Sequence, residues 1–432
     1  MTIAPSADPS SNNNLEPKST QIRWLQVWCL ASVQGAITLS WIAYGAYLPK
    51  FIEQVFGYPP AQALQFSALL LLLENAIGVI VEPLFGGLSD RWQRWYSSRM
   101  PLIVAGAIAS TAFFIGLPSL VIFGGANEVT RFLLPCLAVL WALMMASFRS
   151  PVMCLLGGFA GSSQLPMAGS VLTLVGGVIG SIRPFATNFI LSLGAPITFA
   201  IASFALLAGV ASLRTAMIYM PKKPSSEAEV TNPAPIPAKI KDFLSNLAIV
   251  LLVGALIGIG MRLLMGEVLQ RTLKAEIVGF TGLPIGTLSG SILIFQAVIA
   301  LGTGKLCKVI DNKRLMMISF GVIAFGLGLL SFGYGAIASI LVIILLLICV
   351  SAVNNGMVAF ALTMVPKSLS GLTVGLFFGG LSGAIAVFGY LVPKPAEMIS
   401  NSNVSLLTAI AFLSAGIAIA FGERITRHLN VD

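Results

Sequence analysis

Hydrophobic residues along this chain gather in long runs separated by short polar breaks, and the runs have the length of a bilayer crossing. A membrane core about 30 Å thick takes roughly 20 apolar residues per helix. The pattern predicts twelve spans, at 24–49, 62–84, 100–123, 131–157, 166–192, 195–219, 244–266, 285–304, 314–334, 337–364, 370–393 and 404–422. The longest polar break, 221–242 (PKKPSSEAEVTNPAPIPAKIKD), is rich in Pro, Lys and Glu and falls at the middle of the chain. It reads as a flexible linker between halves. The first stretch, rich in Ser, Asn and Pro, has no basic segment feeding a short apolar core, so a disordered tail is expected and no cleaved signal peptide. The expected organisation is therefore a tail at 1–23, a six-helix bundle at 24–219, a linker at 220–242, a second six-helix bundle at 243–422 and a tail at 423–432.

Composition strengthens this reading. Hydrophobic residues make up 57% of the chain and charged residues 9%, and the mean hydropathy is +0.93, well outside the range of soluble domains. The net charge of +9 does not point to nucleic acid, because the basic residues sit in short connections between apolar runs. With the N-terminus inside, most of the 25 Lys and Arg residues fall on cytoplasmic connections. This bias places both termini in the cytoplasm of a plasma (inner) membrane. The five cysteines have no metal-ligand spacing and an odd total, so neither disulfides nor a metal is expected. No catalytic constellation and no phosphate-binding loop of the G-x-x-x-x-G-K-S/T type is present, so no cofactor, no enzymatic activity and no direct use of ATP are expected.

An internal repeat supports two related halves. The segment from Gly87 through Asp90 and Arg91 to Arg99 lies opposite that from Gly302 through Lys305 to Arg314, at a constant offset of 215. Each begins with Gly and ends with Arg before an apolar run, although the second copy lacks the Asp.

The segment Gly86-Gly87-Leu88-Ser89-Asp90-Arg91, followed by Arg94 and Arg99, resembles the signature loop between the second and third helices of the major facilitator superfamily. The resemblance implies an all-α membrane protein with twelve transmembrane helices in two pseudo-symmetric six-helix bundles. It also implies a gating role for Gly87, Asp90, Arg91, Arg94 and Arg99: small residues let helices approach, and Asp90 can accept hydrogen bonds from basic groups or a helix N-terminus. Over roughly the first 190 residues the chain is more specifically similar to the sucrose and proton-coupled sugar carrier branch. Glu74-Asn75 ahead of Glu82-Pro83, Arg99-Met100-Pro101 and Arg149-Ser150-Pro151-Val152 carry that similarity. The chain departs from the branch at Gly157-Gly158 and Leu165-Pro166, where the branch has further charges.

Charges inside a membrane cost about 2.5–3.5 kcal/mol at the helix centre even on an insertion scale, so each needs a partner or a purpose. Glu74 sits mid-span with Gly78 and Glu82 on the same face. It is the candidate proton-coupling carboxylate, with a permanently protonated or paired structural Glu as the alternative. Glu82, nearer the cytoplasmic end, suits a structural ion pair. Arg149 and Arg183 are candidates to face a solute, with a salt bridge to Glu74 or Glu82 as the alternative. Arg262 lies on a stripe with Gly254, Gly258 and Gly266 and could instead snorkel to the outer interface.

Gln34, Thr38 and Trp41 share a face of the first helix, with Tyr44 beside them, and an aromatic ring with polar neighbours suits a sugar. With Asn75, Arg149, Arg183, Gln296, Asn354 and Asn355 they make the candidate substrate cavity. Helix packing explains Trp41 as well, and interhelical hydrogen bonding the amides. Gly375, Gly379 and Gly383, and separately Gly176 and Gly180, recur every four residues as expected packing seams. The expected function is a monomeric, proton-coupled secondary transporter of a sugar or related polyol, with small-molecule substrate, protons and lipid bilayer as partners. The alternatives are an exporter of another small metabolite and a transporter-like assembly factor of a membrane complex.

Overall fold

Each apolar run folds as a helix, since hydrocarbon offers backbone N–H and C=O groups no partner outside the segment itself. The computed structural model describes residues 21–219, 240–307, 309–393 and 395–429. Twelve helices among them are long and apolar enough to cross a membrane. They are α1 (Trp24–Phe56), α2 (Pro60–Tyr96), α3 (Met100–Gly124), α4 (Glu128–Cys154), α5 (Leu165–Gly180, continued by Ile182–Ser192), α6 (Ala195–Ile218), α7 (Ile240–Leu263), α8 (Ile285–Leu306), α9 (Asn312–Leu330), α10 (Ala336–Thr363), α11 (Ser370–Leu391) and α12 (Asn401–Leu429). Most of the expected tail 1–23 and of the linker 220–242 lies outside the described residues.

Local chemistry sets several boundaries. Gly57 ends α1 with a left-handed backbone, φ 71°, and Pro60 opens α2, the usual asymmetry of helix ends. Asn127 caps α4 by accepting from the N–H of Thr130 at 2.8 Å, and Asp311 caps α9 through the N–H of Lys313 at 3.0 Å.

Four expectations need correction. The segment expected as a loop after the second span is helical to Tyr96, so Gly87, Asp90, Arg91 and Arg94 ride on the last turns of α2. Polar side chains end the hydrophobic run there without ending the hydrogen-bonded helix. The fifth span is interrupted at Ser181, and Ala186 beyond it has non-helical φ and ψ. The seventh span continues as helix to Thr281 through two π-helical segments, Leu264–Val268 and Leu273–Ile277, where hydropathy predicts a connection. Helix α12 runs on to Leu429, into the expected tail.

The packing order is two-fold. Helix α1 packs on α6 as α7 packs on α12, α3 on α4 as α9 on α10, and α2 on α4 as α8 on α10. Between the halves, α2 lies along α11 and α5 along α8. The glycine stripe of α11 is a true seam: Gly375 faces Glu82 and Pro83, and Gly379 and Gly383 face Val79. The second expected stripe is not, since a side chain on Gly176 or Gly180 would meet open space; the close approach of α5 to α8 is at Gly177, against Ala297.

Candidate functional site

A cavity of about 570 Å³ lies between the halves, walled by α1, α4 and α5 on one side and by α7, α8, α10 and α11 on the other. Six of the sequence-derived candidates line it: Gln34, Thr38, Arg149, Gln296, Asn354 and Asn355. Thr38 donates to the carbonyl of Gln34 at 2.9 Å. Asn355 donates to the carbonyl of Ala300 at 2.8 Å and to Thr303 at 2.9 Å, which fixes its amide against α8. The rest of the wall is largely apolar, with Met153, Ile257, Met261, Leu293 and Phe378 among its members.

Arg149 is held from two directions. Its Nη1 lies 3.4 Å from Glu82 Oε1, and its guanidinium sits 4.2 Å from the ring centroid of Phe378 on α11. Glu82 is buried and also accepts from the Ser150 hydroxyl. One half therefore supplies the ion pair and the other the aromatic face. Phe378 escaped sequence analysis because one more Phe in an apolar span carries no signal.

Arg262 belongs to the cavity. Gly254 and Gly258 bring α7 against Phe377 and Leu381 of α11, and Arg262, four residues on, opens into the central space. Its guanidinium rests against Gly266. The glycine stripe turns this face of α7 toward α11 and the cavity.

Three candidates do not line the cavity. Trp41 packs on Trp141 at 4.8 Å and edge-on to Tyr44 at 5.8 Å. Asn75 turns back on its own helix, donating to the carbonyl of Leu71 at 2.7 Å. Arg183, beyond the break in α5, lies over Gly45 of α1, 3.7 Å from where a Cβ would stand. It follows the interruption at Ser181, in the second segment of α5, and that segment contributes no residue to the cavity wall.

Glu74 occupies a separate, buried compartment. The Tyr44 hydroxyl donates to its Oε1, while Oε2 has no hydrogen-bond partner. Trp141 closes the compartment with its ring 4.3 Å from that of Tyr44 and stacked on Phe114 at 5.0 Å. Trp141 is fully buried, and sequence analysis missed it.

A third cluster joins the halves where α2 ends. Asp90 accepts from Arg99 Nη2 at 2.6 Å, from the N–H of Gly371 at 2.9 Å and from the N–H of Leu372 at 2.8 Å. Arg99 also donates to Ser89 at 2.6 Å and Ser370 at 2.9 Å. The carboxylate thereby caps α11, where the helix dipole favours negative charge. Gly87 sits at the edge of this contact, facing Leu372. Arg91 and Arg94 are exposed and make no hydrogen bond or ion pair among the described residues, so they stand outside the cluster.

No protein-family model and no curated protein matches the chain. Solved structures do. A bacterial homologue of the iron transporter ferroportin, in an outward-facing state, aligns with a TM-score of 0.64 at 16% identity, covering 93% of this chain and 99% of its own. The human organic anion transporter MFSD10 (TETRAN) aligns at 0.60 and 14% identity, covering 92% and 99% respectively. The POT family transporter PepTSo aligns at 0.57 and 12%, covering 92% and 97%. At these identities the likeness is one of fold: the chain has the twelve-helix, two-bundle architecture of these major facilitator transporters.

Proposed function

We propose that this integral membrane protein is a secondary transporter of a small solute, working by alternating access. The observation that carries the reading is the central cavity walled by helices of both halves. A site shared between two bundles changes the face from which it is reached when the bundles rock. The transporters named above share that architecture and support the assignment.

Further parts of the proposal rest on named residues. Glu74 carries the coupled proton, supported by its burial and by the unpartnered Oε2. Asp90 and Arg99 form the latch, with Gly87 at its edge, and it holds shut the end of the bundles richest in Lys and Arg. That end is cytoplasmic, with both termini, and the protein works as a monomer in a plasma membrane. The ring of Trp41, on which a sugar would stack, is committed to Trp141 and Tyr44, so a sugar or polyol would rely on the amides of Gln34, Gln296, Asn354 and Asn355.

The test is uptake into proteoliposomes of the purified chain under an imposed pH gradient, with a broad panel of radiolabelled sugars, organic acids, amines and peptides. Saturable accumulation of any member above empty liposomes supports the reading. Absence of flux and of counterflow across the panel contradicts it.

A further inference from the structure

The charges facing the cavity are of one sign. Arg149 and Arg262 line it, and among the described residues no Asp or Glu does. Arg149 has a counter-ion in Glu82, behind the wall, with side-chain exposures of 29% and 2% for the two partners. Arg262 has no hydrogen-bond or ion-pair partner among the described residues. A guanidinium on a largely apolar wall needs an acceptor, and here the open space in front of it is where one can sit.

The unsatisfied neutral groups set a second requirement, a hydrogen-bond donor on the cargo. Gln34 Oε1 and Asn355 Oδ1 are buried without partners, but they are acceptors and leave the charge of Arg262 uncompensated. The remaining surface offers apolar contact from Met153, Met261, Leu293 and Phe378.

On the reading of this cavity as a transport site, we propose that its cargo is a small amphipathic anion. A carboxylate or sulfonate engages Arg262 in a charge-assisted, two-pronged hydrogen bond, and an apolar tail or ring lies along the methionines and Phe378. A donor group on the cargo satisfies Gln34 or Asn355. Neutral sugars leave Arg262 bare, and cations are repelled by it.

The experiment uses the purified full chain and matched probes: p-aminohippurate against its methyl ester, hexanesulfonate against hexanol, and sucrose and tetraethylammonium as the neutral and cationic references. Thermal unfolding followed by helical circular dichroism reads binding, and counterflow in proteoliposomes reads transport. The anions are expected to raise the Tm while their uncharged partners do not. Arg262→Gln is expected to weaken anion binding about ten-fold or more, with Arg262→Lys retaining the preference for the charged member of each pair. If the neutral members, sucrose or tetraethylammonium bind and exchange while the anions do not, or if Arg262→Gln leaves anion binding unchanged while remaining monodisperse, the anion assignment is overturned and the carrier reading stands. If no probe binds and a broad solute mixture gives no counterflow, the carrier reading fails and takes the anion assignment with it.

Discussion

The carboxylate of Asp90 lies 2.9 Å from the backbone N–H of Gly371, so a side chain of the first half caps a helix of the second across 281 positions of sequence. Arg99 ties the same carboxylate down from behind, and two glycines allow the approach. A Cβ on Gly86 would fall on the carbonyl of Gly371, and one on Gly371 would fall on that of Gly86. Electrostatics and sterics thus meet at one contact, which makes them separable by substitution.

Asp90→Asn keeps the size of the side chain but removes the charge that both Arg99 and the α11 dipole favour. Its expected effect is to loosen this end of the bundle. Cys154 provides a native reporter: it is buried, and its thiol donates to the carbonyl of Ser370 at 3.4 Å. In a chain with Cys154 as its sole cysteine, maleimide labelling is expected to rise roughly ten-fold in the variant, as a loss of about 1.4 kcal/mol gives. Equal labelling rates would show that the latch does not govern access.

Gly86→Ala tests the steric half of the same contact. Forcing a methyl group into closely packed backbones costs about 1–3 kcal/mol, so the variant should have a lower Tm than wild type. Gly87→Ala is the control, because its Cβ would stand an ordinary 3.8 Å from Leu372. Similar losses in both variants would point to helix propensity or lipid contact in place of the α2–α11 seam.

Glu82 and Arg149 are expected to behave as a unit. Removing either partner leaves the other charge uncompensated near the cavity, whereas removing both leaves two neutral groups. The double variant Glu82→Gln, Arg149→Gln should therefore lower the Tm by less than the sum of the two single losses, giving a coupling measurable in a double-mutant cycle. Strict additivity would assign Arg149 to the Phe378 ring alone.

Replacing Glu74 by Gln keeps a hydrogen-bond acceptor for the Tyr44 hydroxyl while removing the titratable proton. Gradient-driven accumulation is expected to be lost and solute counterflow largely kept. Accumulation at the wild-type level would remove Glu74 from proton coupling.

Much of this architecture is legible in the chain because hydrocarbon imposes a simple rule: spans must be long, apolar and helical. What hydropathy cannot read is where a helix ends once its apolar run has stopped, and so the last turns of α2 and the extension of α7 look like connections in sequence. The order of Gly87, Asp90 and Arg99 announces a contact, but its partners Ser370 and Gly371 are ordinary small residues that carry no signal. Polar side chains inside apolar spans locate six cavity residues, but polarity alone does not tell which way a side chain faces, and so Arg183, which lies over Gly45, is misplaced with them. Arg262 is ambiguous in sequence because a glycine-rich face suits lipid, a neighbouring helix or a cavity equally well until the partner helix α11 is in place.

Whether the two halves move relative to one another can be read from spin labels at Arg94→Cys on α2 and Lys367→Cys just before α11, both exposed sites flanking the Asp90 contact, in an otherwise cysteine-free chain. Pulsed electron–electron resonance in lipid nanodiscs should give a short-distance population matching the closed contact and a second, longer one that grows when Asp90→Asn is introduced. A single distribution, unchanged by the substitution and by saturating solute, would mean that the halves do not rock and that the cavity is not a carrier site.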